Sequence, residues 1–107
     1  MFKDVIFHNA AEEAGNGNEV FVNRSHTLTV EIFGTSETRT VTFYGKGLGG
    51  ELRAIEGEKL AASTTKATST TGNDEFWRFK VVGLVSVVMD LTAVSGGNVS
   101  VKGRLIE

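Results

Sequence analysis

The strongest constraint on the fold is the alternation in His26-Thr27-Leu28-Thr29-Val30-Glu31-Ile32-Phe33. Leu28, Val30 and Ile32 fall on one side of an extended chain, and Thr27, Thr29 and Glu31 fall on the other. A period of two belongs to a strand with one buried face, because a helix repeats its apolar positions every three to four residues. The same period returns in Thr38–Tyr44, with Val41 and Phe43 inward. In Val85–Leu91, residues Val85, Val87, Met89 and Leu91 alternate with Ser86, Val88 and Asp90. Near Glu75–Val82, Trp77, Phe79 and Val81 share one face, while Phe76, Arg78 and Lys80 share the other. Val99, Val101 and Leu105 alternate with Ser100, Lys102 and Arg104. Ala10–Ala14 has helix-forming residues, but it meets Gly15 before a stable helix can nucleate.

Turn chemistry separates these segments. Gly34–Glu37 offers a residue that tolerates positive φ and a serine that closes a local hydrogen bond. It predicts a hairpin joining the first two strands. Ser95-Gly96-Gly97-Asn98 predicts a second hairpin, between the two C-terminal strands. Gly103 stands where Val or Ile is expected, which predicts a bulge or a close backbone approach. Further short strands are predicted near Glu51–Glu56, Val5–His8 and Glu19–Val22, the last two around a Gly/Asn-rich loop. Ser63–Asn73, rich in Thr and Ser, reads as a mobile loop or an exposed edge strand. About seven or eight short strands with frequent turns predict one all-β domain over residues 1–107: an antiparallel β-sandwich, jelly-roll-like. Its predicted core is Leu28, Val30, Ile32, Val41, Phe43, Val87, Met89, Leu91, Val99 and Val101.

Composition narrows the chemistry. The 107 residues include no Cys, which removes disulfides, thiolate metal sites and Cys nucleophiles together. Two histidines, His8 and His26, are too few for a His-rich catalytic metal centre. A net charge of −2 argues against a nucleic-acid module driven by bulk charge. No apolar run approaches the roughly 20 residues of a membrane-spanning helix. The start of the chain lacks a long apolar segment with a small-residue cleavage site, so the expected place of synthesis is a cytoplasm, with no membrane partner.

Motifs that mimic active sites fail on context. Gly45-Lys46-Gly47-Leu48-Gly49-Gly50 resembles a phosphate-binding loop, but the following Glu51–Ile55 reads as strand, where the motif needs a helix. His8 and His26 flank different strands, and Ser25 beside His26 points to the opposite face. No stretch follows the alternating oxygen ligands of a calcium loop; Asn73-Asp74-Glu75 could help a surface calcium site, and a turn entering a strand explains it equally well. The expectation is therefore a non-enzymatic protein with no cofactor, no metal and no catalytic residue. The candidate partner or ligand surface is aromatic and cationic: Tyr44, Phe76, Trp77, Arg78 and Lys80. Trp77 either plugs the core beside Phe79 or stands out as a stacking platform.

The segment Glu75–Leu91, with its aromatic strand, Gly83-Leu84 corner and Val-rich strand, resembles a recurrent stretch of small tailed-phage proteins. The Ser-Gly-Gly turn into Asn98–Arg104 belongs to the same pattern. So do Thr29–Gly34 and Thr40–Phe43, and the likeness covers roughly residues 20–106. It implies a bacteriophage virion accessory β-sandwich, decorating the capsid or associated with the tail or fibre. It implies other virion proteins and further copies of itself as partners, with a trimer as one symmetric arrangement, and localisation to the virion. The chain departs from the commonest version at Gly45–Gly50, where many relatives carry an Asp-Gly-Thr-Trp-like turn, so a ligand role tied to that Trp does not transfer. The alternative function is an adhesion module for a host surface glycan, resting on Trp77, Tyr44 and the Thr-rich stretch. Nucleic acid is not an expected partner.

Overall fold

An extended segment with one apolar face must cover it, and two sheets of such segments can cover each other. The computed structural model describes residues 1–61 and 64–107 and follows this solution, with antiparallel strands in two sheets. The strands are β1 (Phe2–Ala11), β2 (Val20–Phe21), β3 (Thr27–Phe33), β4 (Thr38–Lys46), β5 (Leu52–Ala54) and β6 (Gly57–Leu60). After them come β7 (Thr64–Ala67), β8 (Ser69–Thr70), β9 (Glu75–Lys80), β10 (Ser86–Ser95) and β11 (Val99–Ile106). The six-stranded sheet runs β1-β11-β3-β9-β6-β7, and the five-stranded sheet runs β2-β10-β4-β5 with β8 also on β4. Among the described residues, eleven strands exceed the expected seven or eight because short strands β6, β7 and β8 complete the sheets around the Thr-rich stretch. Within that stretch β7 is the edge of the six-stranded sheet, as the edge-strand alternative expected; Ser63 lies outside the described residues.

The predicted core is the observed one: all of its members are fully buried, and Phe7, Val22, Trp77, Phe79, Val81 and Leu105 join them. Phe43 sits at its centre, with its ring 5.1 Å from that of Trp77 and 4.9 Å from that of Phe79. Edge-on and tilted arrangements like these suit the quadrupoles of the rings.

The pairing departs from the expected hairpins. β3 pairs β11 and β9, while β4 pairs β10, β5 and β8, so the first two predicted hairpin strands lie in opposite sheets. β10 and β11 are likewise split between the sheets. Both turns are arches that cross from one sheet to the other. Alternation cannot distinguish the two arrangements, since the inner faces of a sandwich carry the same period whether neighbours pair side by side or face each other. The two arch loops lie together. Thr35 N and Ser36 N donate to Asn98 O at 3.1 and 3.0 Å, and Glu37 N donates to Ser95 O at 2.9 Å. Gly34 and Gly97 have φ of 142° and 147°, and a Cβ on Gly34 would stand 2.3 Å from Asn98 O. This close approach is what makes glycine necessary at the corner.

Gly103 pairs in regular register with Val5 and Val30, so it forms no bulge. It does mark a close approach: a Cβ there would lie 3.0 Å from both Leu28 Cδ1 and Thr29 O. The register shifts fall opposite, in β1, between Ile6 and His8 and between His8 and Ala11. Ala10 takes φ 55° there, and its N–H donates to Ser100 Oγ at 2.9 Å. Bulges on an edge strand discourage pairing with another chain.

Candidate interaction surface

The inner faces leave the outer ones to be explained. On β9, inward Trp77 and Phe79 alternate with outward Phe76, Arg78 and Lys80, as the period requires. Trp77 is only 2% exposed, and its Nε1–H donates to Glu75 Oε1 at 3.0 Å. It is a core residue and no part of a partner surface, which corrects its place among the candidates. Tyr44 is half-buried on β4, beside Val88 and Ala54, on the outer face of the opposite sheet. The structure therefore brings together Phe76, Arg78 and Lys80 and separates Tyr44 from them.

Neighbouring strands enlarge the Phe76 patch. The register aligns Ile6, Lys102, Glu31 and Phe76 in one row across β1, β11, β3 and β9. The next row holds Asp4, Arg104, Thr29, Arg78, Glu58 and Lys66. The third holds Phe2, Ile106, Thr27 and Lys80. Phe2, Ile6, Phe76 and Ile106 are between 42% and 56% exposed, an unusual density of large apolar side chains on one outer sheet face. A groove of about 660 Å³ runs among Ile6, Phe76 and Ile106 over a backbone floor at Val5, Gly103 and Val30. Sequence reading found the β9 part of this face and missed the rest, because the register that places β11 beside β3, and β1 beside β11, depends on long-range pairing. The only signal was the apolar character of Phe2, Ile6 and Ile106 at outward positions of the terminal strands.

Cations are laid over the aromatic groups. The Arg104 guanidinium stands 4.1 Å from the Phe2 ring centroid, and Lys102 Nζ stands 5.8 Å from that of Phe33. Arg104 Nε also donates to Asp4 Oδ1 at 2.7 Å, and this contact lowers the Asp4 pKa and raises that of Arg104. Arg78 pairs with Glu58 at 2.8 Å. These pairs are exposed and hold side chains in place more than they stabilise the fold.

The titratable groups elsewhere act as fasteners. Burial raises the pKa of Glu75, but hydrogen bonds from Lys59, Trp77 and Thr70, with the charge of Lys59, outweigh it and hold the carboxyl below its ordinary range. Lys59 Nζ lies 2.8 Å from Glu75 Oε2, and Thr70 Oγ1 donates to Oε1 at 2.7 Å. This joins β8 of one sheet to β9 of the other. Glu19 accepts from Ser86 Oγ at 2.5 Å and pairs with Lys46 at 3.2 Å, and both contacts lower its pKa. Buried His8 places Nε2 2.6 Å from Met89 O, so Nε2 carries the proton and β1 is tied to β10. His26 is exposed, and its main chain bridges Val81 and Ile106. Gly47–Gly50 is the turn between β4 and β5, with Gly50 N donating to Gly47 O at 3.2 Å. Among the described residues no group of three His, Cys, Asp or Glu side chains can hold a metal ion. The Glu75 carboxylate is taken up by Trp77, Thr70 and Lys59, while Asp74 is exposed.

Comparison with known proteins places this chain in a lineage. The XepA family model matches residues 1–105. The uncharacterized protein YqxG of Bacillus subtilis (strain 168) is 43% identical over 103 residues, covering 96% of this chain and 34% of YqxG. Phage-like element PBSX protein XepA, from the same strain, is 38% identical over 103 residues, covering 96% of this chain and 37% of XepA. The SPbeta prophage-derived uncharacterized protein YomS is 34% identical over 100 residues, covering 94% of this chain and 83% of YomS. The chain thus spans about a third of the length of YqxG and XepA and most of YomS. The crystal structure of YomS superposes with a TM-score of 0.94 at 32% identity, over 100% of this chain and 94% of that one. That of XepA, described as a PBSX exported protein, superposes with a TM-score of 0.95 at 36% identity, over 98% and 37%. The antiparallel all-β fold is therefore shared with phage-derived proteins.

Proposed function

This chain belongs to the XepA family, and from that premise we propose that it is a non-enzymatic accessory component of a phage particle. In this reading it decorates the capsid or joins the tail or fibre assembly, and its partners are other particle proteins and further copies of itself. The observation that carries the reading is the outer face of the six-stranded sheet, where Phe2, Ile6, Phe76 and Ile106 stand exposed on rigid paired strands. Large apolar groups interleaved with arginine on a fixed scaffold are the usual anchors of a protein contact. Derivation of YomS and XepA from prophage elements supports the phage setting. The glycan-adhesion alternative loses Trp77, which lies in the core, and rests on Tyr44 and the Thr-rich stretch alone.

Mass spectrometry of purified particles tests the proposal. The chain is expected at a copy number comparable to that of other structural proteins. Its absence from intact particles, with its presence confined to the soluble fraction, refutes the reading. Light scattering of the purified protein checks self-association, with a discrete symmetric oligomer expected.

A further inference from the structure

We infer that the outer face of the six-stranded sheet docks an acidic protein segment anchored by apolar residues, an inference that rests on the particle-component reading and names the chemistry of the partner. The whole chain carries a net charge of −2. Its three aligned outer rows nevertheless carry five cations, Lys66, Arg78, Lys80, Lys102 and Arg104, against Asp4, Glu31 and Glu58. Two of those carboxylates are already engaged, Asp4 by Arg104 and Glu58 by Arg78. Lys66, Lys80 and Lys102 make no salt bridge among the described residues, and the unengaged carboxylates beside these three lysines are two, Glu31 next to Lys102 and Glu56 next to Lys66 and Lys80. The opposite outer face has no such surplus: Lys46 is bound to Glu19, and Asp90 stands two residues beyond Val88 on β10.

The apolar groups decide which anion fits. A polyanion without side chains of its own would satisfy the lysines and leave Phe76, Ile6 and Ile106 in water. A second copy packed through the same face would set these cations against their own kind, which is repulsive at contact distance. An acidic segment with apolar anchors satisfies both components, its carboxylates meeting Lys80 and Lys102 and its apolar side chains entering the groove between Ile6 and Phe76. The face is small. Six strands about 4.8 Å wide and three rows about 6.8 Å deep give roughly 29 by 20 Å. That is below the roughly 800 Å² per partner of a standard interface, so each copy binds weakly and repeated copies on a particle supply the avidity.

Nuclear magnetic resonance titration of the intact, isotopically labelled protein tests the inference, with a random glutamate–tyrosine copolymer, polyglutamate and buffer as probes. The copolymer is expected to shift the backbone amides of Ile6, Phe76, Lys102 and Arg104. Polyglutamate at equal carboxylate concentration is expected to bind about tenfold more weakly, the loss that removal of one apolar anchor produces. The double substitution Lys80→Glu/Lys102→Glu, checked for an unchanged fold by its own spectrum, is expected to abolish the shifts. Equal binding of both polymers overturns the inference in favour of a charge-only site. Shifts centred on Tyr44, or none at all, also overturn it. Shifts that grow with protein concentration without any polymer mean that a second copy is the occupant. Presence in the particle is measured independently, so the failure of this inference leaves the other reading separately decided.

Discussion

Glu75→Gln is the most informative single substitution, because the carboxylate gathers three donors between the two sheets. Glutamine keeps the size of the side chain. Its carbonyl can continue to accept from Trp77 Nε1 and Thr70 Oγ1, but its amide then faces the Lys59 ammonium with a donor. One charge-assisted hydrogen bond of 2.8 Å is lost and two donors are opposed. Hydrogen bonds to charged groups contribute about 1.5–3 kcal/mol. The Lys59 side chain is about one-third exposed and can turn to water, which favours the lower half of that range. We expect a loss of about 2 kcal/mol, or roughly 8 °C in melting temperature for a chain of this size. The assay is chemical and thermal unfolding followed by emission of Trp77, the only tryptophan. The pH dependence checks the cause. The folded pKa of Glu75 is lowered, so its contribution is complete above the ordinary glutamate pKa and disappears as pH falls through the folded value. The gap between the native protein and the variant should therefore close on acidification. A variant that melts within about 2 °C of the native protein at neutral pH refutes the reasoning, as does a gap undiminished in acid.

Three further outcomes follow from the packing. Native Trp77 should emit at short wavelength and resist quenching by iodide, whereas a red-shifted, readily quenched emission would place it at the surface. Ile32→Ala and Leu91→Ala should each destabilise by about 2–5 kcal/mol in denaturant titrations, since both side chains are fully buried; unchanged midpoints would contradict the facing assignment. Gly97→Ala should lower the melting temperature more than Gly103→Ala, because Gly97 combines φ 147° with a main-chain approach of 2.6 Å, while Gly103 has only side-chain and carbonyl neighbours at 3.0 Å or beyond. Calorimetry that reverses this order would show that the arch loops tolerate a side chain.

Much of the core was legible from the chain alone, and the reason is local. Whether Leu28 or Thr29 faces inward depends only on strand period and on which residues avoid water, so Leu28, Val30, Ile32, Val41, Phe43 and their partners on β10 and β11 could be assigned without any pairing. The β9 share of the surface followed from the same rule, since Phe76, Arg78 and Lys80 had to point away from Trp77 and Phe79. Trp77 itself could not be decided by period, because an inward face is buried only where another sheet covers it.

Long-range pairing decided what remained. Gly34–Glu37 and Ser95–Asn98 have the composition of hairpin turns, yet they carry the chain between sheets and bond to each other. The energetic difference lies in which strand completes each ladder: β11 on β3 and β10 on β4, contacts between residues forty or more positions apart. No local propensity records that choice. The same pairing sets β11 beside β3 and β1 beside β11, and assembles Phe2, Ile6, Lys102, Arg104 and Ile106 with Phe76 into one face. Side-chain alternation thus determined from sequence which residues of this protein are inside, and the register of distant strands determined in the tertiary structure which outside residues stand together.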